Sequence, residues 1–286
     1  KVTMTTADFT RFRSRLRLTG TMRLDTSLRV GAGDTDNIAA ADITVIKDAT
    51  GRPYIPGSSF KGVLRSYVES LLRAISDDEQ KSACLCVTQI DGKADGCPTT
   101  RDPKILGKQL EEEITDRDAF FLTKSCRACQ VFGSPWLASK VLMSDLPVTG
   151  EWLGRYQVRD GVGIDRDTET ASEGLLYSFE AVPAGTDFAC EILIENASEA
   201  EQGLVLLGLR AFEHGLIRLG GATSRGLGRV TLKWHLNPEC YEVNADPKAS
   251  GDPKQLFDFI ATGKGAPLTT EAIDKKIAAF RKEIGV

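Results

Sequence analysis

The 286-residue sequence predicts an α+β sandwich, and three patterns predict it. The stretch "RLRLTGTMRLDTSLRV" places Leu16, Leu18, Met22, Leu24, Leu28 and Val30 on even positions, the period of a strand or hairpin with one buried face. The stretch "GSSFKGVLRSYVESLLRAI" spaces Phe60, Val63, Leu64, Tyr67, Val68, Leu71 and Leu72 at helical intervals. Such segments follow one another as strand, helix, strands, strand, helix, strand, which is the order of a ferredoxin-like fold.

Each element has its own signal. After the first strand comes a turn-rich loop, "GAGDTDNIAAADITVIKD", leading into a short strand. Pro56-Gly57-Ser58 reads as a helix start with Ser58 as the N-cap. Periodicity is lost from about residue 77 to 140, which is read as a cysteine-rich insertion. "KVLMSDLPV" resumes strand character, and "RDGVGIDRDTETASEGLL" is polar and Gly-bearing, long enough for a protruding hairpin at about 155–180. "DFACEILIEN" alternates as a strand, "EAEQGLVLLGLRAFEHGLIRL" reads as an amphipathic helix, and "RVTLKWHL" alternates again. The expected core is therefore 9–76 plus 141–245, followed by a tail, 246–286, with a helix in "TTEAIDKKIAAFRKEI".

Composition excludes some classes. Hydrophobic content of 41% and charged content of 27% suit a globular chain. No apolar run approaches the roughly 20 residues of a membrane helix, and no secretory segment opens the chain, so the expected location is cytoplasmic. The net charge of −4 argues by itself against a nucleic-acid binder, but the charge is uneven. Between Phe9 and Val30 stand six Arg (Arg11, Arg13, Arg15, Arg17, Arg23, Arg29) and one acid, all six on odd positions. A row of like charges on one strand face is costly unless an anion or an acidic neighbour sits opposite.

Two motifs suit phosphates. "LGGATSRGLGRV" carries Gly220, Gly221, Gly226 and Gly228 around Arg225, and such loops let backbone N–H groups approach an anion. At the helix start, Lys61 and Arg65 lie four residues apart beside the N-terminal amides. The Gly-rich loop lacks the Lys-Ser/Thr pair of a nucleotide-binding P-loop.

In chain order, "GAGDTDNIAAADITVIKD", "YIPGSSFKGVLR", "GIDRDTETASEGLLYSFEAVPAGTDF" and "LGGATSRGLGRV" together resemble the RAMP superfamily, and within it the backbone subunits of type III CRISPR effector complexes. The similarity runs from about Arg15 to Trp234 apart from the insertion. It implies a modified RNA-recognition palm with a thumb hairpin. It also implies a guide RNA (crRNA) path along Ser58, Ser59, Lys61, Arg65, Gly220, Gly221, Ser224 and Arg225, with Arg166 in the thumb. Several copies would stack on one guide, each holding about six nucleotides, the thumb taking a nucleotide out of the stack between them. The implied partners are crRNA, target RNA, further copies or related RAMP subunits, a large polymerase-like subunit and small subunits.

The resemblance also implies catalysis. The position matching the family's RNA-cutting Asp is Asp42, with Asp34 and Asp36 weaker candidates. The RNA 2′-OH is the nucleophile, so a carboxylate need only assist proton transfer or hold Mg²⁺ or Mn²⁺ against the phosphate. The same fold without catalysis, or a RAMP nuclease that trims the guide precursor, are the alternatives. His214 and His235 lie in none of the motifs, which disfavours a His-based mechanism.

Seven Cys, an odd number, argue against a disulfide framework. "CRAC" supplies Cys126 and Cys129, and Cys97 with Cys84 or Cys86 completes four ligands for a closed structural Zn²⁺ site, Cys84 being preferred. The polar, Gly- and Asp-rich surroundings speak against simple buried thiols. Cys190 and Cys240 read as structural.

Overall fold

The computed structural model describes residues 11–34, 43–76, 82–85, 97–100, 106, 117–150, 152, 154–236, 240–245 and 252–285. Its principal sheet is built on β1 (Ser14–Leu24), an eleven-residue strand. One edge of β1 pairs antiparallel along its length with β9 (Asp187–Glu195), which pairs in turn with β5 (Val141–Met143). The other edge is divided between two partners. Gly20–Leu24 face β10 (Val230–Trp234), and Ser14–Arg17 face β11 (Tyr241–Asn244), which carries the short β12 (Ala266–Pro267). The order β10-β1-β9-β5, all antiparallel, with helices in the two crossovers, is the ferredoxin-like arrangement that the element order implies.

The even residues of β1 supply the core. Leu16, Leu18, Met22 and Leu24 are buried against α1 (Gly57–Ile75) and α4 (Glu199–Glu213). From α1 come Phe60, Leu64, Val68 and Leu72, each worth roughly 1.5–3 kcal/mol of burial. Phe60 meets Phe212 of α4 edge-on at 5.0 Å. The helices cross closely because α4 has Gly208 there: a Cβ would lie 2.6 Å from Val68.

The odd face settles the fate of the arginine row. Arg15 and Arg23 sit directly opposite Glu195 and Asp187 of β9, at 2.5 and 3.1 Å, and Arg17 reaches Glu191 diagonally at 2.6 Å. The Glu191 hydrogen bond raises the Arg17 pKa. Arg15 also lies over Phe12 and Phe259, and Arg17 over Tyr241. Acidic neighbours, not an anion, therefore answer these three charges.

Other expectations change in detail. "KVLMSDLPV" is two strands, β5 and β6 (Leu146–Pro147), because Ser144-Asp145 turns; Asp145 accepts a hydrogen bond from the Gly57 amide at 2.8 Å. That carboxylate, rather than Ser58, meets the start of α1: the helix begins at Gly57 and Ser58 lies inside it, exposed. Helix α4 is buried nearly all round because the tail helix α6 (Thr270–Ile284) covers its outer side. Gly203 permits the contact, since a Cβ there would lie 2.0 Å from the Lys276 carbonyl oxygen. The tail also holds a helix that the pattern reading missed, α5 (Pro253–Thr262), capped by Asp252.

A second sheet, β2-β3-β8-β7, adjoins the first: β2 is Gly31–Asp34, β3 Ile43–Val45, β7 Gln157–Ile164 and β8 Ala171–Ala181. The strands β7 and β8 form the expected hairpin, turning at Asp165–Thr170. Its strand β7 leaves Val158, Val162 and Ile164 in solvent, at 63, 45 and 62% exposure. A two-stranded ribbon joins β4 (Tyr54–Ile55) to β6. In the insertion, α2 (Arg117–Lys124) and α3 (Arg127–Phe132) are described, and α3 packs into the main core through Ala128, Val131 and Phe132.

Lys140, just before β5, forms a buried 2.5 Å ion pair with Glu201. Glu201 also closes the capping box of α4 with Ser198. Glu201→Ala should lower stability by about 3–5 kcal/mol, because it strands a buried ammonium. Urea unfolding followed by circular dichroism measures this, and adding Lys140→Met should recover part of the loss.

Candidate nucleic-acid interface and metal centre

The Gly-rich loop follows α4 and returns through Thr223–Arg225, a single 3-10 turn, into β10. Gly220 has φ +74°, and a Cβ on it would lie 2.2 Å from the Arg29 carbonyl oxygen; Gly228 has φ +80° and lies as close to Leu219. The Gly221 amide donates to Arg29 O at 2.8 Å and the Gly228 amide to Ser27 O at 2.9 Å. These glycines therefore seat the loop against the chain segment 27–29. The expected purpose, approach of the backbone to an anion, is not what these two amides do. Outward the loop exposes Ser224 and Arg225 along with Gly220, Gly221 and Gly226.

Arg225 donates to the Tyr177 hydroxyl of β8. Tyr177 stacks on Phe179, their centroids 6.3 Å apart, and Arg29 lies over Phe179 at 4.9 Å. Arg159 of β7 donates to Ser27 Oγ and Gln157 Oε1. Three cations and two stacked rings thus meet at the root of the β7–β8 hairpin, an arrangement suited to phosphates and base faces. Gly161 opposite Tyr177 leaves room for the ring, since a Cβ there would lie 2.3 Å from it. Sequence reasoning did not single out Arg29, Arg159, Tyr177 or Phe179 as a group. The alternating aromatics of "LLYSFEA" were the available signal.

Asp42 and Asp36 lie outside the described residues. The next residue after Asp42, Ile43, opens β3 and pairs in parallel with Phe179, so β3 starts beside the cation–aromatic patch. Asp34 ends β2 opposite Ile43, and Glu180, next to Phe179, is engaged by Lys47 at 2.8 Å and by the Val45 amide at 3.1 Å. His214 ends α4, and His235 follows β10, bonded to Thr21 at 3.0 Å. Arg166 is exposed in the hairpin turn.

Gly57 of the helix-start motif abuts the carbonyls of Met143 and Ser144, where β5 ends level with Leu18 in the middle of β1, while the Gly-rich loop enters β10 at Val230, opposite the end of the antiparallel strand β1. Ser58, Lys61 and Arg65 line an open groove of about 620 Å³ whose other wall is the 132–139 segment. Ser59 is partly buried beside it. The Lys61 ammonium donates to Ser139 Oγ at 2.7 Å and Val141 O at 3.0 Å; burial, then nearby Arg65, lowers its pKa. Arg65 donates to Glu69 at 2.7 Å, Gly133 O at 3.0 Å and Cys129 Sγ at 3.5 Å.

The cysteine sulfurs of Cys84, Cys97, Cys126 and Cys129 lie within 4.8 Å of one another. Cys84 and Cys129 are 3.7 Å apart, close to the roughly 3.8 Å between sulfurs around a tetrahedral zinc. Hydrogen bonds within the cluster push the Cys84 thiol up, chiefly through Cys126, and pull Cys126 down, chiefly through Cys129. Four sulfurs this close together suit a cation that replaces their protons, so the cluster could bind a metal such as zinc. Contrary to the reading of the local composition, Cys97, Cys126 and Cys129 are buried. Cys86 lies outside the described residues. Cys190 and Cys240 are buried elsewhere, and burial pushes the Cys190 thiol up to about 12.

A ferredoxin-like sheet carrying a long hairpin and a Gly-rich loop is an architecture that RNA-recognition domains share with other proteins. The chain belongs to the RAMP superfamily, whose family model matches residues 21–231. It is similar to the CRISPR system Cms endoribonuclease Csm3 of Methanothermobacter thermautotrophicus, 27% identical over 89% of this chain and 100% of that protein. The protein of the same name from Methanocaldococcus jannaschii is 26% identical over 82% of this chain and 87% of its own length.

Gly220→Ala should displace the loop from Arg29 and destabilise the chain by about 1–3 kcal/mol. Thermal unfolding should show the loss, and proteolysis should open the 219–229 loop first.

Proposed function

We propose that this chain is a guide-binding backbone subunit of a type III CRISPR effector complex that cleaves complementary target RNA. The observation that carries the reading is the end-to-end similarity to proteins named CRISPR endoribonucleases, and the cation–aromatic patch at the hairpin root supports it. In this reading the guide crRNA runs past Ser58, Ser59, Lys61 and Arg65 on α1 and past Gly220, Gly221, Ser224 and Arg225 in the loop. Arg166 meets RNA at the hairpin tip. Further copies or related RAMP subunits, a large polymerase-like subunit and small subunits complete the assembly. No helix among the described residues is long and apolar enough to cross a membrane.

Asp42 is assigned the chemistry. Its carboxylate would take the proton from the RNA 2′-OH as that oxygen attacks the adjacent phosphorus. The 5′-oxygen leaves with a proton from solvent, and the upstream product ends in a 2′,3′-cyclic phosphate. Alternatively Asp42 would hold Mg²⁺ or Mn²⁺, which would supply charge neutralisation at the phosphate while solvent takes the proton. The residues around Phe179 would hold the flanking nucleotides so that the 2′-oxygen lies in line. Zinc is assigned to Cys84, Cys97, Cys126 and Cys129 as a structural ion.

Asp42→Ala should assemble with guide and bind target, yet cleave at least about 100-fold more slowly. Labelled target RNA in the reconstituted complex, with and without EDTA, tests this. A target with a 2′-deoxy substitution at the scissile position should be bound and left whole. Unchanged cleavage by Asp42→Ala would move the chemistry to another carboxylate; absence of cleavage by the wild type would leave a purely structural subunit.

Lys61→Ala and Arg225→Ala should each weaken guide binding regardless of sequence and reduce the salt slope by about one phosphate contact. Filter binding across a salt series measures both. Purified protein should carry one zinc per chain, and Cys126→Ser should lose it, as elemental analysis would show.

A further inference from the structure

Arg65 touches both special regions of the molecule. One face of its helix lines the α1 groove, while its guanidinium reaches the cysteine cluster. Nη2 points to Cys129 Sγ at 3.5 Å, Nη1 to the carbonyl of Gly133 at 3.0 Å, and Nε to Glu69 at 2.7 Å. Glu69 is largely buried, with 13% side-chain exposure, so the fork is held in one orientation. Thr99 Oγ1 approaches the same sulfur at 3.3 Å. Cys129 and Gly133 lie at the middle and the end of the short helix α3, where Gly133, at φ +88°, turns the chain back toward Ser139. Ser139 and Val141 in turn hold Lys61. Two cations on one face of α1 thus clamp both ends of the segment from Cys129 to Val141.

We propose that Arg65 is a positioning residue of the cysteine metal site, fixing Cys129 from outside the ligand set and making metal retention and the shape of the α1 groove one property. A metal-bound thiolate keeps negative charge and accepts hydrogen bonds. A guanidinium donating to it raises the stability of the charged sulfur and fixes its direction. Cys129 is also the link by which metal binding reaches the groove, since the chain from Cys129 to Ser139 is the groove's second wall. Any ligand that favours the metal-bound arrangement of this wall must, by reciprocity, tighten metal binding at equilibrium. That the ligand is RNA rests on the function proposed above; the part concerning Arg65 and the metal does not.

The test uses the full chain with Zn²⁺ or Co²⁺ alone, followed by a chromogenic chelator and by the sulfur-to-cobalt absorption band. Arg65→Gln should still take one metal ion but release zinc about tenfold or more faster than wild type, with a shifted cobalt band. Arg65→Lys, which keeps the charge and loses the fork, should fall between. Wild-type release from Arg65→Gln, or failure of the wild-type chain to take metal, overturns the proposal. Should Arg65→Gln not fold, Glu69→Gln frees the fork at Nε and should speed release to a lesser degree; an unchanged rate there overturns it equally. In a second arm, guide-length RNA added to the wild type should raise its equilibrium zinc affinity, read by competition with the chelator. Faster release from Arg65→Gln with no effect of RNA would support the role of Arg65 and refute RNA occupancy of the groove.

Discussion

The register of β1 is the constraint on which the other elements depend. A slip of one residue would turn Leu16, Leu18, Met22 and Leu24 to solvent and drive the arginines into the core. Register is specified twice over, because the outward Arg15 and Arg23 also need Glu195 and Asp187 directly across. Each such pair, being partly exposed, contributes only about 0–1 kcal/mol. Their larger effect is to penalise every wrong alignment. With β1 fixed, β9 and β10 are fixed beside it, and with them the loop that enters β10 at Val230.

Elements with one strong local period were readable from the sequence. β1, α1, β9 and α6 are of this kind, since alternation or helical spacing there coincides with burial. The β7–β8 hairpin was readable for a different reason, its polar Gly-bearing middle. α5 was missed although Asp252-Pro253 is a helix-start signal and Leu256, Phe257, Phe259 and Ile260 follow it at helical spacing; in the structure Phe257 and Ile260 nonetheless stay exposed. The cysteine cluster was legible because Cys-x-x-Cys spacing constrains local geometry. Its burial was not, since what buries it is the packing of α3 into a core built by segments far away in the chain.

The site residues divide along the same line. The glycines of the 219–230 loop were recognised, but their purpose depends on a carbonyl of Arg29 that no local pattern could supply. Lys61 and Arg65 were recognised as cations near a helix start, while their carbonyl and sulfur partners come from the insertion. Ser58 lost its capping role to Asp145, which is far from it in sequence. In each case the residue type was visible and the partner was tertiary.

The outward side chains of β7 bear on how the free subunit behaves in solution. Val158, Val162 and Ile164 are exposed along β7, so in the isolated chain this hairpin adds three wetted apolar side chains to those of Leu216, Phe257 and Ile260 elsewhere on the surface. Salts of the excluded kind, such as sulfate, raise the cost of that wetting. Colloidal stability of the isolated chain therefore depends on these dispersed apolar side chains as well as on the net charge of −4.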